Sequence, residues 1–193
     1  AVRIDPRLAV AQARLAQYLF HVARHQEGNE HLQIATSLDP EEPLVLGFAA
    51  SDAIWKGDYT LALELWRRGG AAFTHRGHDL FVRRGGDPRA PVLVLIHGFP
   101  TASWDFAPLW AALVARWRVL TLDLLGLGLS AKPPGHRYSI GEQADLIQGF
   151  LRAEGVTEYH VLAHDYGDTV AQELLARGGR QPALRSVCLL NGG

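Results

Sequence analysis

The second part of the chain, from about residue 72, alternates short apolar runs with stretches of helical period. Apolar runs bounded by turn residues are typical of buried strands, and a 3.6-residue period is typical of helices. The pattern predicts strands at 80–82, 92–96, 119–122, 159–163 and 187–190 and helices at 106–117, 139–154 and 170–177. Strands that alternate with helices favour parallel pairing, and wholly apolar strands suit a sheet covered on both faces. This pattern therefore predicts a parallel α/β sheet.

Residues 1–71 instead have helical periodicity and an internal repeat. The pairs Asp5-Pro6 and Asp39-Pro40 are 34 residues apart, which is the period of tetratricopeptide repeats. The small and large residues that follow each pair have a spacing that resembles those repeats. Gly57-Asp58 predicts the end of one helix and the N-cap of the next. The resemblance implies an all-α region that binds a protein partner.

Three motifs directly follow predicted strands, where open α/β sheets place their sites. They are HGFP at 97–100, DLLGLGLS at 123–130 and AHDYG at 163–167. The third motif has the form of a strand-to-helix elbow, which holds its central side chain alone above the sheet. Ala163 and Gly167 are small where strand and helix crowd, and the central residue is Asp165.

A carboxylate at such an elbow favours a particular chemistry. It attacks sp3 carbon without a base, displaces an alkoxide or halide, and leaves an alkyl ester on the protein. Water then attacks the carboxyl carbon of Asp165, and the resulting oxyanion needs preorganised donors. The backbone N–H groups of Phe99 and Tyr166 are placed for that role. The competing interpretation is that Asp165 is an ordinary N-cap with no catalytic part.

In this order and spacing, the three motifs resemble the α/β-hydrolase fold family. Within it they resemble the Asp-nucleophile branch, which contains epoxide hydrolases, haloalkane dehalogenases and, most similar, the mesoderm-specific transcript group. The resemblance covers about residues 72–193 and includes the stretches LIHGFPTASWDF and LAHDYGDTVAQELL. It implies that Asp165 is the nucleophile and that the backbone N–H groups of Phe99 and Tyr166 form the oxyanion hole. Other motif residues are expected to shape loops, namely His97, Gly126, Gly128 and Ser130, and His164 is not expected to act as a base.

Departures from the family patterns narrow the expected substrate. Dehalogenases usually have Asn and Trp where this chain has Phe99 and Tyr166, so halide chemistry is disfavoured. Phe99 matches the epoxide hydrolase form, and the resemblance implies a small organic substrate that is an epoxide or ester-like. The family's cap, acid and catalytic histidine would follow Gly193. Without them, the 193 residues alone are expected to be inactive or to turn over once.

These observations predict two domains, a tetratricopeptide-like helical region at 1–71 and the N-terminal part of an α/β-hydrolase domain at 72–193. The predicted fold class is α/β, a truncated α/β-hydrolase parallel sheet preceded by an all-α region. The leading functional prediction is an epoxide hydrolase-like enzyme with an Asp nucleophile. The alternative is a non-catalytic interaction module in which the repeats bind a protein and the hydrolase part docks it.

Composition and charge exclude several other functions. With 19 basic and 20 acidic residues, the net charge of −1 gives no general attraction to nucleic acid or anionic lipid. Cys188 is the single cysteine, so an intrachain disulfide is excluded and a Cys-based zinc site is not expected. His21 and His25 lie one helical turn apart but lack a third ligand nearby, and we predict no metal ion and no cofactor. The sequence shows no signal peptide and no membrane-spanning run. The location is left open, with the cytoplasm favoured, because the chain does not begin with methionine and its true N-terminus is expected to be missing.

Overall fold

The structure is a computed structural model that describes residues 6–178 and 182–192. Its helices are α1 (Pro6–His21), α2 (His25–Leu38), α3 (Pro43–Trp55), α4 (Tyr59–Arg68), α5 (Ala107–Val114), α6 (Ile140–Ala153) and α7 (Tyr166–Ala176). Its strands are β1 (Gly70–His75), β2 (His78–Gly85), β3 (Val92–Ile96), β4 (Arg118–Leu122), β5 (Glu158–His164) and β6 (Ala183–Leu190). A 3-10 helix, Ser103–Phe106, precedes α5.

The chain divides into two compact units. The first is formed by Ala1–Gly70 and Ala107–Arg116, and the second by Ala71–Phe106 and Trp117–Gly193. Helix α5 therefore belongs to the unit of the N-terminal helices, although its sequence lies among the strands. The domain boundaries at residues 71 and 72 remain a prediction. None of the helices in the described part of the chain is long and apolar enough to cross a membrane.

The first unit contains closely packed helices. A Cβ on Gly28 of α2 would lie 2.7 Å from the Phe20 ring of α1, so these helices approach too closely for a larger residue. Gly57 has φ +79°, and the Asp58 carboxylate accepts a hydrogen bond from the Leu61 N–H at 3.0 Å. The predicted helix end and N-cap at 57–58 are thus confirmed. Ring contacts within this unit include Trp66 of α4 against Trp110 of α5, with centroids 5.1 Å apart.

The second unit contains a six-stranded mixed sheet of order β1-β2-β4-β3-β5-β6. Strand β3 lies between β4 and β5, and both pairs are parallel, as is β5 with β6. Strand β2 is antiparallel to β4, with Val82 opposite Leu122. The prediction of a wholly parallel sheet was wrong because only residues 86–91 join β2 to β3. A parallel crossover needs about a dozen residues or more.

The sequence analysis missed β1, which begins at Gly70 and lies before the first predicted strand at 80–82. The other strands and helices α5 to α7 were predicted, β3 at its observed bounds and the rest with shifted bounds. The predicted helix at 139–154 is α6, where Ser139 is the N-cap that accepts from the Glu142 N–H, and Glu154 is the C-cap. The core of this unit joins apolar side chains of β2 to β5 to those of α6 and α7. Buried members include Val94, Ile147, Phe150, Val161 and Val170.

Candidate active site

The three sequence motifs meet at one edge of the sheet. Strands β4, β3 and β5 are adjacent and parallel, so their carboxyl ends point the same way. The HGFP motif follows β3, the glycine-rich motif follows β4, and Asp165 follows β5. Ligand sites of open α/β sheets form at this edge.

The elbow at Asp165 is strained and crowded. Asp165 has φ 52° and ψ −119°, a conformation that costs about 1–3 kcal/mol for a residue with a side chain. A Cβ on Gly167 would lie 2.3 Å from the Ile96 carbonyl oxygen, and one on Gly98 would lie 2.8 Å from Asp165 Cβ. Ala163 is fully buried at the end of β5. The small residues around Asp165 thus let strand, helix and loop converge on one side chain.

Asp165 does not cap its helix with its side chain. It occupies the N-cap position of α7 but makes no side-chain cap hydrogen bond, whereas Asp58 at the N-cap of α4 does. Instead, Asp165 Oδ1 accepts a hydrogen bond of 2.8 Å from the Phe99 N–H, which belongs to the loop after β3. The geometry therefore differs from that of an ordinary N-cap.

The electrostatics at Asp165 favour the ionised form. Hydrogen bonds from the backbone N–H groups of Phe99 and Tyr166 hold the pKa of the Asp165 carboxyl below its usual range. The carboxylate is half-buried and therefore accessible to a small molecule. Such a group can attack an electrophilic carbon while two amides hold its charge.

His97 fixes the loop that carries Phe99. The Leu124 N–H donates to His97 Nε2 at 2.8 Å, so Nδ1 carries the proton and donates to the Gly98 carbonyl at 2.8 Å. The ring is fully buried, and this burial lowers the pKa of His97. The imidazole is therefore neutral and serves as a link between the loops after β3 and β4.

We expect this buried histidine to make stability depend on pH. The unfolded state takes up a proton near pH 6.5, whereas folded His97 resists it, so stability is full above that pH and falls below it. The loss attributable to His97 is up to about 1.4 kcal/mol per pH unit. Urea unfolding at pH 7.5 and pH 5.5 should show a larger loss for the wild type than for His97→Gln. Equal losses would contradict this account.

Asp123 organises the loop after β4. Its Oδ1 accepts from the Ser103 N–H at 2.8 Å, and its Oδ2 accepts from the Leu129 N–H at 2.7 Å. The Ser130 hydroxyl donates to the Asp123 carbonyl at 2.6 Å. A Cβ on Gly128 would lie 2.1 Å from Asp123 Oδ2. These contacts agree with the expected loop-packing role of Gly128 and Ser130.

A polar cluster that the sequence analysis missed lies beside the HGFP loop. His164 Nδ1 is 3.6 Å from Asp105 Oδ2, and the Thr101 hydroxyl is 2.5 Å from the same oxygen and 3.1 Å from the Gly98 carbonyl. The His164 ring thus lies next to the loop that carries Phe99. Asp105 has no sequence signal beyond its place in the stretch that follows HGFP.

Comparison with known proteins identifies the family. A family model described as alpha/beta hydrolase fold matches residues 91–192, more than half of the chain. The chain therefore belongs to the alpha/beta hydrolase fold family. The matched range includes β3, the elbow at Asp165 and the loop after β4.

Individual relatives match parts of their own length. The mesoderm-specific transcript protein of Mus musculus is 44% identical over 144 residues, which cover 68% of this chain and 42% of that protein. The putative hydrolase LipZ of Mycobacterium tuberculosis is 43% identical over 132 residues, 66% of this chain and 44% of LipZ. An alpha/beta hydrolase fold protein from Burkholderia ambifaria has a crystal structure with a TM-score of 0.57 at 33% identity, covering 63% and 43% of the two chains. The chain thus spans less than half the length of each.

Proposed function

We propose that the chain acts as a hydrolase in which Asp165 forms an alkyl ester with a small epoxide. The observation that carries the proposal is the Asp165 residue itself, whose backbone is strained at φ 52° and whose carboxylate accepts a hydrogen bond from the Phe99 N–H of the loop after β3. The family and the relative named as a putative hydrolase support hydrolase chemistry.

The first step balances without a cofactor. A carboxylate oxygen of Asp165 attacks a ring carbon, the C–O bond of the epoxide breaks, and the ring oxygen takes a proton from water. The product is a hydroxyalkyl ester of Asp165. Because Oδ1 accepts from the Phe99 N–H, the other oxygen is the one we assign to the attack. The ester carbonyl then remains at the amide donors.

The second step is hydrolysis of that ester. Water adds to the carboxyl carbon of Asp165 and gives an oxyanion that the N–H groups of Phe99 and Tyr166 stabilise. The acyl C–O bond breaks, a proton passes from the water to the departing oxygen, and a diol leaves. Asp165 is recovered with one oxygen from water.

The side chains next to Asp165 favour an apolar substrate. Phe99, whose N–H binds Asp165, is 65% exposed, so the loop that holds the carboxylate carries an accessible apolar residue. Phe99 and Tyr166 occupy the positions where dehalogenases usually have the Asn and Trp that hold the halide. An epoxide with a hydrocarbon substituent fits this surface better than a haloalkane.

We expect incubation with aliphatic and aryl epoxides to add the whole mass of one epoxide to the peptide that contains Asp165. Ring opening is an addition, so no atoms are lost in the first step. Peptide mass spectrometry at short times locates the adduct. Cys188 is an exposed thiol that alkylates independently, so a Cys188→Ser variant is the background. Adducts spread over surface carboxylates, with no preference for Asp165, would overturn the proposal.

A second candidate function is protein binding by the N-terminal helices. Helix α1 exposes three large apolar side chains on one face, those of Leu8, Leu15 and Tyr18, and the exposed Val22 directly follows the helix. This stripe, together with the 34-residue repeat and the close α1–α2 packing, supports the proposal of tetratricopeptide-like repeats that bind an apolar peptide. Double substitution Leu15→Ser with Tyr18→Ser should abolish peptide binding but leave the Asp165 adduct unchanged.

A further inference from the structure

Two histidines and a glutamate converge in the second unit, outside the candidate active site. His78 begins β2, His136 lies in the loop before α6, and Glu142 lies in the first turn of α6. Their ligand atoms all lie within 4.8 Å of one another, and all three side chains are half-buried. We propose that His78, His136 and Glu142 bind a divalent transition-metal ion, with Zn²⁺ the best match.

The donor set fits this chemistry. Two imidazole nitrogens and one carboxylate oxygen are ligands that Zn²⁺ takes in three-residue sites, where water completes the tetrahedron. Ligand atoms about 2.0–2.1 Å from a tetrahedral ion lie about 3.3 Å apart. The ligand atoms are no more than 4.8 Å apart. Side-chain rotations that move them by about 1–2 Å would therefore bring all three into contact with one ion.

The Glu142 carboxylate is directed toward the cluster. Ser139 and Glu142 have the S-x-x-E spacing of a capping box, in which the glutamate turns back to the N-cap amide. Ser139 makes its half of the box, because its hydroxyl accepts from the Glu142 N–H at 3.2 Å. The Glu142 Oε2 lies instead 2.8 Å from His136 Nε2. Its side chain thus already points to the other ligands.

The surrounding rings hold both histidines in place. The His78 and His136 rings meet edge to face with centroids 5.2 Å apart, and Tyr138 packs against His136 at 4.8 Å. Tyr138 in turn fills the space beside Gly126, where a Cβ would lie 2.7 Å from its ring. A bound ion would therefore connect β2, the loop after β4 and α6. The sequence analysis missed this site because the ligands come from separate segments.

We expect the untagged chain to bind one Zn²⁺ with a dissociation constant in the micromolar range or below, measured by titration calorimetry. Each of His78→Gln, His136→Gln and Glu142→Gln should weaken binding at least about tenfold. Glu142→Gln keeps the Ser139 cap, because that cap uses only the backbone N–H of residue 142, so loss of binding is separable from loss of fold. Co²⁺ should give the visible absorption of a tetrahedral site in the wild type.

The control is His160→Gln, which removes a histidine of β5 that contacts Ser186 of β6 and the ring of Trp117 and lies outside the cluster. It should bind Zn²⁺ as the wild type does. Zn²⁺ at about 100 times the dissociation constant should also raise the wild-type melting temperature by about 5 °C or more. Absence of a saturable site in the wild type, or equal affinity in the three ligand variants and the control, would overturn the proposal.

Discussion

Asp165→Asn is expected to reduce ester formation with epoxides at least about 10⁴-fold. Asparagine has nearly the same size and its oxygen can accept the Phe99 N–H in the same way, so the elbow keeps its shape. The amide lacks the negative charge that makes the carboxylate a nucleophile. Single-turnover mass spectrometry of the epoxide adduct measures the loss. If the variant slowly regained ester formation over hours, the asparagine would have deamidated to aspartate. That recovery would itself show that the reaction takes place at residue 165.

Asp58→Asn is the matched control, because Asp58 is also an N-cap aspartate. Its side chain accepts from the Leu61 N–H at 3.0 Å, and asparagine caps helices as well as aspartate. The control variant should form the Asp165 ester at the wild-type rate. If Asp165→Asn formed the adduct as fast as Asp58→Asn, the ester mechanism would be wrong and Asp165 would be a structural residue.

The elbow could be predicted from sequence because its requirements are local. A small residue, a central carboxylate and a glycine at 163–167 lie between an apolar run and a helical pattern, and sterics alone demand that order. The structure places Asp165 at φ 52° with Gly167 against the Ile96 carbonyl, as that spacing requires. The nucleophile role remains a prediction, since geometry alone does not measure reactivity.

The strand directions could not be predicted as easily, because pairing is a long-range property. Strand β1 begins with glycine and alanine, which carry little strand signal, so β1 was not recognised. The short connection at 86–91 was visible in the sequence, and its length alone argues for an antiparallel β2. The helix α5 shows the same limit, since its apolar pattern does not say which helices it packs against.

Contacts between distant segments explain the remaining omissions. His97 contacts the Leu124 N–H, and His164 lies near Asp105. In each case the partner belongs to a different sequence motif or to none, so the sequence does not indicate the contact. The trio of His78, His136 and Glu142 forms only because β2 runs antiparallel to β4 and starts beside the loop after β4. If β2 ran parallel to β4, His78 would lie at the start of β4 and far from the loop that follows it.

Gly167→Ala is expected to destabilise the second unit by about 3 kcal/mol or more. The new Cβ would lie 2.3 Å from the Ile96 carbonyl oxygen and 2.8 Å from that of His97. Both atoms are backbone at the end of β3, which β4 and β5 hold on either side, so neither can rotate away. Urea unfolding measures the loss. The forced shift would also move the Phe99 N–H, so the yield of Asp165 ester should fall in the fraction that remains folded.

Gly141→Ala is the matched control, because Gly141 is the second residue of α6 as Gly167 is of α7. Its Cβ would meet only Arg177 Nη2 at 3.7 Å, an ordinary contact, and alanine favours helix over glycine by about 1 kcal/mol. The control should therefore unfold at a higher urea concentration than the wild type. If the two variants unfolded at the same midpoint, β3 and α7 would have room to separate. The crowding that positions Asp165 beside the Phe99 amide would then be absent.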